Sequence, residues 1–160
     1  MTLDPEQLRH AMRAWTTGVA ILTASHNEET YGMTINSFNS LSLDPPMVSV
    51  TVQKETHIHT MIEGAQAFGV TILGEDQRGL AEDFAGRKHG PERMAAVTLE
   101  HMAGGAPILA EGLASLDCRV RQVIPLGRNT MFLAEVMSAR VRSAESPLVY
   151  HNRNYRSLGD

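Results

Sequence analysis

The sequence predicts a mainly β fold, in which short strands form a barrel and a few helices lie at its margins. Two observations predict it: apolar segments of strand length recur between turn residues, and helical spacing is confined to a few short stretches. With 42% hydrophobic and 20% charged residues among 160, the chain is long enough for a core of its own. We see no repeat or linker, so we expect one domain over residues 1–160.

Three segments are expected to form helices: residues 4–15, 57–64 and 75–84. In the first, Asp4 can cap the helix and Pro5 suits its first turn. Leu8, Met12 and Trp15 recur at helical spacing on one face. This spacing predicts that Trp15 lies in the core rather than against a cofactor.

The expected strands are residues 19–24, 30–34, 47–52, 67–73, 113–120, 129–136, 139–141, 148–150 and 154–156. The polar turn at residues 26–29 joins the first two strands as a hairpin, and the last two strands form another. Gly127 marks a further turn before the strand that begins at residue 129.

Residues 85–94 hold two glycines and a proline, so we expect a loop or mobile segment there. The basic side chains in this segment are Arg87, Lys88, His89 and Arg93. They are expected to face solvent, and the functional alternative is contact with a dinucleotide phosphate.

Composition excludes several classes of protein. The net charge of −4 argues against general nucleic-acid binding, which leaves a basic surface. Cys118 is the only cysteine, so no intrachain disulfide can form, and it is expected to be a small buried residue. The N-terminus lacks the features of a signal peptide, and no apolar run of membrane-spanning length occurs. We therefore expect a cytoplasmic protein without a membrane contact.

Small hydroxyl and amide residues dominate the stretch from Thr34 to Ser42, which ends at the corner Pro45-Pro46. These side chains donate and accept hydrogen bonds, and they leave backbone N–H groups accessible. The two prolines restrict the corner and the residue before it. The stretch is therefore either a polar turn before a strand or a loop that binds a flat, polar, anionic ligand.

Several motifs follow one another in a specific order. Residues 33–46 read Met-Thr-x-Asn-Ser-Phe-x-Ser-Leu-Ser-x-Asp-Pro-Pro. Later motifs are Phe-Gly-Val-Thr-Ile-Leu at 68–73, Gln-Arg-Gly-Leu-Ala at 77–81, Phe-Ala-Gly at 84–86, Leu-Asp-Cys-Arg-Val at 116–120 and Arg-Asn-Tyr-Arg at 153–156. In this order and spacing, the chain resembles the flavin reductase-like family of homodimeric, FMN-binding split barrels.

The resemblance implies a flavin-binding site. The residues that would line the flavin ring and ribityl chain are Thr34, Asn36, Ser37, Ser40, Leu41 and Ser42, with backbone from Val50, Thr51 and Val52. Lys54 would approach the phosphate as a point charge on a flexible stem. The residues that would close and complete the pocket are Phe84, Ala85, Gly86, His151, Arg153 and Tyr155.

One departure from the family pattern lies in the phosphate-binding segment. Ile58 stands where the family has a threonine, next to His59, which matches the family histidine. Thr56 and His57 are expected to substitute for the missing hydroxyl. The spacing of the two histidines, without a cysteine or carboxylate cluster, does not predict a metal site.

A second departure lies near the expected nicotinamide site. Asn129 stands where many family reductases have a histidine, and Arg128 replaces an acidic residue. Arg128 would bind an anionic group such as the NADPH phosphate or face solvent.

The resemblance implies an NAD(P)H:flavin oxidoreductase that passes hydride from NADH or NADPH to FMN, or to FAD, and supplies reduced flavin to a partner monooxygenase. No catalytic acid or base is expected, because the flavin supplies the chemistry. The alternative, which Asn129 keeps open, is a flavin-binding split barrel with little reductase activity. It would be an electron-transfer or storage module, or another flavin-dependent oxidoreductase.

Overall fold

The structure is a computed structural model that describes residues 2–159 and is mainly β. Its strands are β1 (Thr17–Gly18), β2 (Ala20–His26), β3 (Glu29–Ile35), β4 (Asn39–Leu43), β5 (Pro46–Gln53), β6 (Ala67–Ile72), β7 (Leu99–His101), β8 (Pro107–Leu109), β9 (Ala114–Leu126), β10 (Asn129–Val141), β11 (Val149–His151) and β12 (Asn154–Arg156). Its α-helices are α1 (Pro5–Met12), α2 (His57–Ala65), α3 (Arg78–Glu82) and α4 (Gly90–Ala95). A 3₁₀ turn (Glu75–Gln77) precedes α3, and a π-turn (Asp83–Arg87) follows it. None of the helices in this part of the chain is long and apolar enough to span a bilayer.

The main sheet has seven strands in the order β3-β2-β6-β9-β10-β5-β4. A flat sheet of this size would be roughly 29 Å wide, since neighbouring strands lie about 4.8 Å apart. The three residues between Ile35 and Asn39, however, connect one edge strand to the other, and such a link spans at most about 14 Å. The sheet therefore curls, but no ladder pairs β3 with β4 within residues 2–159, so backbone hydrogen bonds do not close it into a barrel.

Strand β2 is buried on both faces and divides two apolar clusters. Ala20, Leu22 and Ala24 join the cluster inside the curled sheet, where α2 also packs, whereas Val19 and Ile21 face the cluster under α3 and the π-turn. This is the alternation that a strand imposes on successive side chains. The prediction that Ile58, Met61 and Ile62 of α2 point inward is confirmed.

The prediction for residues 85–94 is wrong. The first part belongs to the π-turn and the last part forms α4, so this segment is not a loop. Arg87 and Lys88 both pair with Asp83, and only His89 of the four basic residues keeps an exposed position without such a partner. Arg93 is buried, with 7% of its surface exposed, and donates to the carbonyl oxygens of Gly32, Phe84 and Lys88. The glycines and the proline in this segment predict a loop, but its last part forms α4, which the Arg93 guanidinium attaches to β3.

The prediction that Trp15 lies in the core is also wrong. Helix α1 ends at Met12, none of its residues is buried, and Trp15 keeps 67% of its surface exposed. Asp4 caps the helix as expected, since its carboxylate accepts the N–H of Glu6 at 3.0 Å. The predicted helix is confirmed over Pro5–Met12, but Met12 and Trp15 line a cleft rather than the core.

The polar stretch from Thr34 to Ser42 is strand over most of its length rather than a loop. Thr34 lies in β3, and β4 begins at Asn39 and pairs with β5. Only residues 36–38 connect the two strands. The expected burial of Cys118 is confirmed, and burial raises the pKa of its thiol to about 12.

Candidate functional site

Three cavities meet at Asn36, the first residue after β3. The inner pocket has a volume of about 180 Å³ and is lined by Val19, Thr34, Ile35, Asn36, Ala85, Tyr150 and Tyr155. The outer cleft has a volume of about 720 Å³ and runs between α1, residues 16–18, residues 36–39 and the C-terminal hairpin β11–β12. A third cavity of about 150 Å³ lies between residues 17–20 and the 36–38 connection. Because Asn36 and Tyr150 line both of the first two cavities, the inner pocket and the outer cleft are neighbours.

The π-turn forms one wall of the inner pocket. The hydroxyl of Thr34 donates to the carbonyl of Ala81 at 2.7 Å, which attaches β3 to the helix before the turn. Ala85 then faces the pocket with a small side chain. Gly86 has φ +119°, a conformation that L side chains rarely adopt, so glycine is needed where the turn ends.

Two tyrosines of the C-terminal hairpin also line the inner pocket. The rings of Tyr150 and Tyr155 lie 5.5 Å apart at an interplanar angle of 60°, and the guanidinium of Arg78 lies 5.9 Å from the Tyr155 ring. Burial raises the pKa of Tyr155, and the nearby Tyr150 and Glu82 add to the shift. Tyr155 therefore stays protonated at neutral pH and can donate a hydrogen bond.

Ser37 joins the end of β3 to the middle of β5. Its hydroxyl donates to the Thr51 carbonyl at 2.7 Å and accepts the Thr51 N–H at 3.2 Å. Both functions of the hydroxyl are therefore used within the protein. The neighbouring Asn36 is exposed, and its amide offers two donors and an acceptor to the cavities.

The structure brings together some of the residues that the sequence predicts for the flavin site. The predicted residues that line the inner pocket are Thr34, Asn36, Ala85 and Tyr155. Asn36, Ser37 and Arg153 line the outer cleft. His151 lies beside the cleft, and its ring is hydrogen-bonded to Thr16 at 2.7 Å.

The other predicted residues do not line these cavities. Ser40, Leu41 and Ser42 lie on the edge strand β4, where Ser42 is half-buried and the other two are exposed. Phe84 is buried under Gly32. Gly86 is exposed, with nothing within 4 Å of the position that a Cβ would take.

The predicted phosphate-binding residues lie at the N-terminus of α2. Lys54 is exposed in the turn after β5, and its N–H donates to the Arg128 carbonyl at 2.9 Å. Thr56 makes no side-chain cap, because its hydroxyl donates to the Gln53 carbonyl at 2.6 Å. Thr56 therefore caps no N–H group of α2 with its side chain, although its carbonyl accepts the N–H of His59 at 3.2 Å.

The two histidines of this segment have different surroundings. His57 is exposed and hydrogen-bonds Glu29 at 2.8 Å. His59 is buried, hydrogen-bonds the Thr130 hydroxyl at 2.8 Å and packs against Phe132. They therefore point to different partners, and no cluster of three or more histidine, cysteine or acidic residues occurs within residues 2–159.

Asn129 begins β10, opposite Gln53 of β5. It is half-buried and lies outside the three cavities. Its neighbour Arg128 pairs with Glu55 at 2.7 Å and is 83% exposed, so this guanidinium faces solvent with a carboxylate partner.

Sequence reasoning missed the basic residues of the outer cleft. Arg9 lines it from α1, Arg13 lines it from the position directly after α1, and Thr17 lines it from β1. The two arginines are four residues apart, a spacing that places both on one face of a helix. The four-residue spacing of the two arginines is visible in the sequence. The apolar residues in the same segment, however, predict a helix that packs on the core.

Comparisons with known proteins identify the family to which the chain is similar. The family model described as "Flavin reductase like domain" matches residues 12–159. The chain is 38% identical to the reductase component of 4-nitrophenol 4-monooxygenase/4-nitrocatechol 2-monooxygenase from Rhodococcus opacus, over 96% of this chain and 80% of that protein. It is 34% identical to an NADH-dependent flavin reductase from Rhodococcus sp., over 98% and 90% of the two chains. The solved structure of the flavin reductase HpaC complexed with NADP⁺ superposes with a TM-score of 0.88 at 32% identity, over 98% of this chain and 99% of that one.

Proposed function

Because this chain belongs to the flavin reductase-like family, we propose that it is an NAD(P)H:flavin oxidoreductase that reduces FMN, or FAD, for a partner monooxygenase. The observation that carries the proposal is the family match over residues 12–159, together with relatives that are named as flavin reductases or as reductase components of monooxygenases. NADH is the nicotinamide cofactor named for one relative, and NADP⁺ is bound in the solved neighbour, so both are candidates here.

The residues of the inner pocket fit a flavin ring. A ring with carbonyl oxygens and an N–H needs donors and acceptors, which the amide of Asn36 and the protonated Tyr155 can supply. Ala85 lines the same pocket with a small side chain, which leaves room for the ring.

Phosphate binding is proposed for the N-terminus of α2. Lys54 is exposed there, and the N-terminus of a helix without a side-chain cap favours an anion. Lys54 lies three residues beyond Thr51, so a ligand that begins near Ser37 would extend roughly 10 Å along β5 to reach it. Thr56, His57 and the buried His59 remain predicted site residues in this segment.

The proposed role of the chain is to position the reactants. The flavin, when bound, supplies the hydride-accepting chemistry. Ser37 and Thr34 hold the backbone around Asn36 through their hydrogen bonds to Thr51 and Ala81. No side chain of the inner pocket needs to accept a proton, because hydride transfer between two nucleotides requires orientation and close approach.

Three further proposals concern the architecture. The curled sheet supports a split barrel. No backbone ladder joins its edge strands β3 and β4, and the hydrogen bond between Ser37 and Thr51 would close the barrel at this place. A homodimer is proposed from the family resemblance, and exposed apolar side chains such as Leu43 and Val141 would be covered by it.

One domain over residues 1–160 is likewise proposed, although the two terminal residues lie outside the described residues. A cytoplasmic location stays a prediction.

A second candidate function is a flavin-binding protein with little reductase activity. Asn129 favours it, because it replaces a histidine that the family places near the nicotinamide. The amide of Asn129 is half-buried and lies outside the three cavities. If nicotinamide binding requires a histidine at this position, Asn129 would bind the nicotinamide more weakly than that histidine does.

Oxidation of NADH and NADPH by the purified protein, with and without FMN or FAD, separates the two candidates. The proposed function predicts rapid oxidation that depends on flavin. Tight flavin binding without turnover would instead support the second candidate, and the absence of any flavin affinity would contradict both. Asn129→His is the matched variant, since a rise in turnover would identify this position as limiting.

Lys54→Ala tests the proposed phosphate site. We expect FMN binding to weaken by about 1.5 kcal/mol, the lower end for a charged hydrogen bond, because Lys54 is exposed. Riboflavin, which has no phosphate, is the matched ligand and should bind equally to both proteins. Equal loss for FMN and riboflavin would place the phosphate elsewhere.

A further inference from the structure

Asp117 is a buried carboxylate on the outer face of the main sheet. It lies in β9 with 1% of its surface exposed, and strand alternation directs its side chain away from the apolar cluster that Cys118 joins. One carboxylate oxygen, Oδ1, accepts the N–H of Ala106 at 3.3 Å. The other, Oδ2, is buried and has no hydrogen-bond partner among residues 2–159. Buried polar groups are normally hydrogen-bonded, so this oxygen needs an explanation.

A β-bulge places a second unpaired oxygen beside this carboxylate. The β9–β10 register joins Ser138 directly to Asp117 and leaves Met137 without a partner on β9, which makes Met137 the extra residue. The extra residue moves Ser138 to the outer face of the sheet, on the same side as Asp117. The hydroxyl oxygen of Ser138 is also buried and has no partner in the described part of the chain. Without the bulge, this hydroxyl would face the apolar cluster.

The loop before β8 covers Asp117 closely. A Cβ on Gly104 would lie 2.7 Å from both carboxylate oxygens, so this approach of the loop requires a glycine. Residues 104–107 also line a cavity of about 240 Å³, and the other residues of its lining are Ser25, Ala65 and Ala67. The loop therefore shields the carboxylate from bulk water, while the loop itself borders a cavity that a small ion can enter.

The charge of Asp117 is not neutralised by a basic side chain. Arg119 and Arg140 lie on the same face of the sheet, two residues from Asp117 and Ser138 along their strands. Arg140 is paired with Glu100 at 2.7 Å, and Arg119 is exposed. Neither of these arginines forms an ion pair with Asp117. A buried charge without a partner is costly, so a bound cation would stabilise the folded protein.

We propose that Oδ2 of Asp117 and the hydroxyl oxygen of Ser138 bind a monovalent cation such as Na⁺ or K⁺. One carboxylate supplies one negative charge, so a monovalent ion leaves the buried site neutral. A divalent ion such as Ca²⁺ needs six to eight oxygen ligands, usually with several carboxylates, and no cluster of three or more metal-ligating side chains occurs in the described part of the chain. The site shares no residue with the cavities proposed for the flavin, so it is independent of the proposed function.

Thermal unfolding in chloride salts of different cations, at equal ionic strength, tests this site. We expect Na⁺ or K⁺, at about ten times its dissociation constant, to raise the unfolding temperature by roughly 3–6 °C relative to the bulky tetramethylammonium ion. Asp117→Asn should lose this difference, because an amide has no charge to attract the ion, and Ser138→Ala should reduce it. Asp44→Asn is the matched control, since Asp44 is exposed and its loss should leave the full difference.

Sodium NMR is a second measurement that does not depend on unfolding. Sodium ions that exchange with a protein site give a broadened resonance, so the wild type should broaden it more than an equal concentration of a folded site variant. Equal unfolding temperatures of the wild type in all the salts would overturn the proposal. Equal cation responses in the wild type and in every folded site variant would overturn it as well, and a water molecule or a proton would then satisfy Asp117 instead.

Discussion

Arg93 is a buried cation whose partners are backbone carbonyl groups, and its replacement should destabilise the protein measurably. Its Nη1 donates to the carbonyl oxygens of Gly32 and Phe84 at 3.2 and 3.1 Å, both in buried surroundings. Its Nε and Nη2 donate to the Lys88 carbonyl, which water can reach. The guanidinium also lies 5.4 Å from the centre of the Tyr31 ring. In Arg93→Met the volume is largely kept and the donors are lost.

The magnitude follows from the two buried acceptors. A buried polar group left without a partner costs about 1–3 kcal/mol. Removal of a buried charge offsets part of this cost, because the charge no longer has to be desolvated. We therefore use about 1–2 kcal/mol for each acceptor and expect the free energy of unfolding to fall by about 2–4 kcal/mol.

Urea denaturation followed by circular dichroism measures this change. Arg121→Met is the matched control, because Arg121 pairs with Glu135 on the exposed face of β9 and β10. An exposed pair of this kind contributes about 0–1 kcal/mol. Equal destabilisation by the two substitutions would refute the view that Arg93 fixes α4 to β3.

Other predictions concern glycine packing, the thiol and acid stability. Gly69→Ala should prevent folding, since a Cβ there would overlap the Pro107 carbonyl oxygen, whereas Gly18→Ala, which meets nothing within 4 Å, should express as soluble protein with an unchanged unfolding temperature. Cys118 should resist thiol reagents in the native protein, and unfolding free energy should fall as pH rises from about 9 toward 12, because the unfolded thiol ionises first. The lysine and arginine partners of Asp83 lower the pKa of its carboxyl group. The carboxylate therefore adds to the free energy of unfolding above the pKa of the unfolded state, and this contribution is lost as the pH falls through the lower pKa of the folded state. Asp83→Asn should therefore flatten the acid side of a stability–pH curve, and an unchanged curve would contradict this assignment.

The strands of the core could be predicted because their sequences carry the signal locally. Strand β2 reads as a continuous apolar run, since both of its faces are buried in the two clusters. Helix α2 was predicted for a similar reason, because its inward residues recur at helical spacing. In such elements the local pattern and the tertiary environment agree.

The errors arose where tertiary contacts decide the structure. Nothing near Arg93 in the sequence indicates that β3 supplies its acceptors, since Gly32 is distant along the chain. Likewise, Trp15 continues an apolar helical pattern, and only the fold reveals that this face borders a cleft. Strand β4 is an edge strand of small polar residues, which local propensity reads as a loop.

The sequence predicts only part of the lining of the candidate site, because tertiary contacts bring that lining together. Thr34, Asn36, Ala85 and Tyr155 come from three separate regions of the sequence, and the resemblance to a family named each of them. Arg9 and Arg13 were missed, because the cleft that they line exists only where the C-terminal hairpin packs beside them. Lys54 and Asn129 keep their predicted roles as hypotheses for experiment.

Anaerobic reduction of FMN by NADH, followed by the loss of the visible absorbance of the flavin, tests the central claim most directly. The proposed function predicts that catalytic amounts of the protein reduce one FMN for each NADH consumed, at a rate proportional to protein concentration. Boiled protein supplies the control for the uncatalysed reaction. A rate equal to that of boiled protein, in a sample that still binds FMN, would contradict the assignment as a flavin reductase.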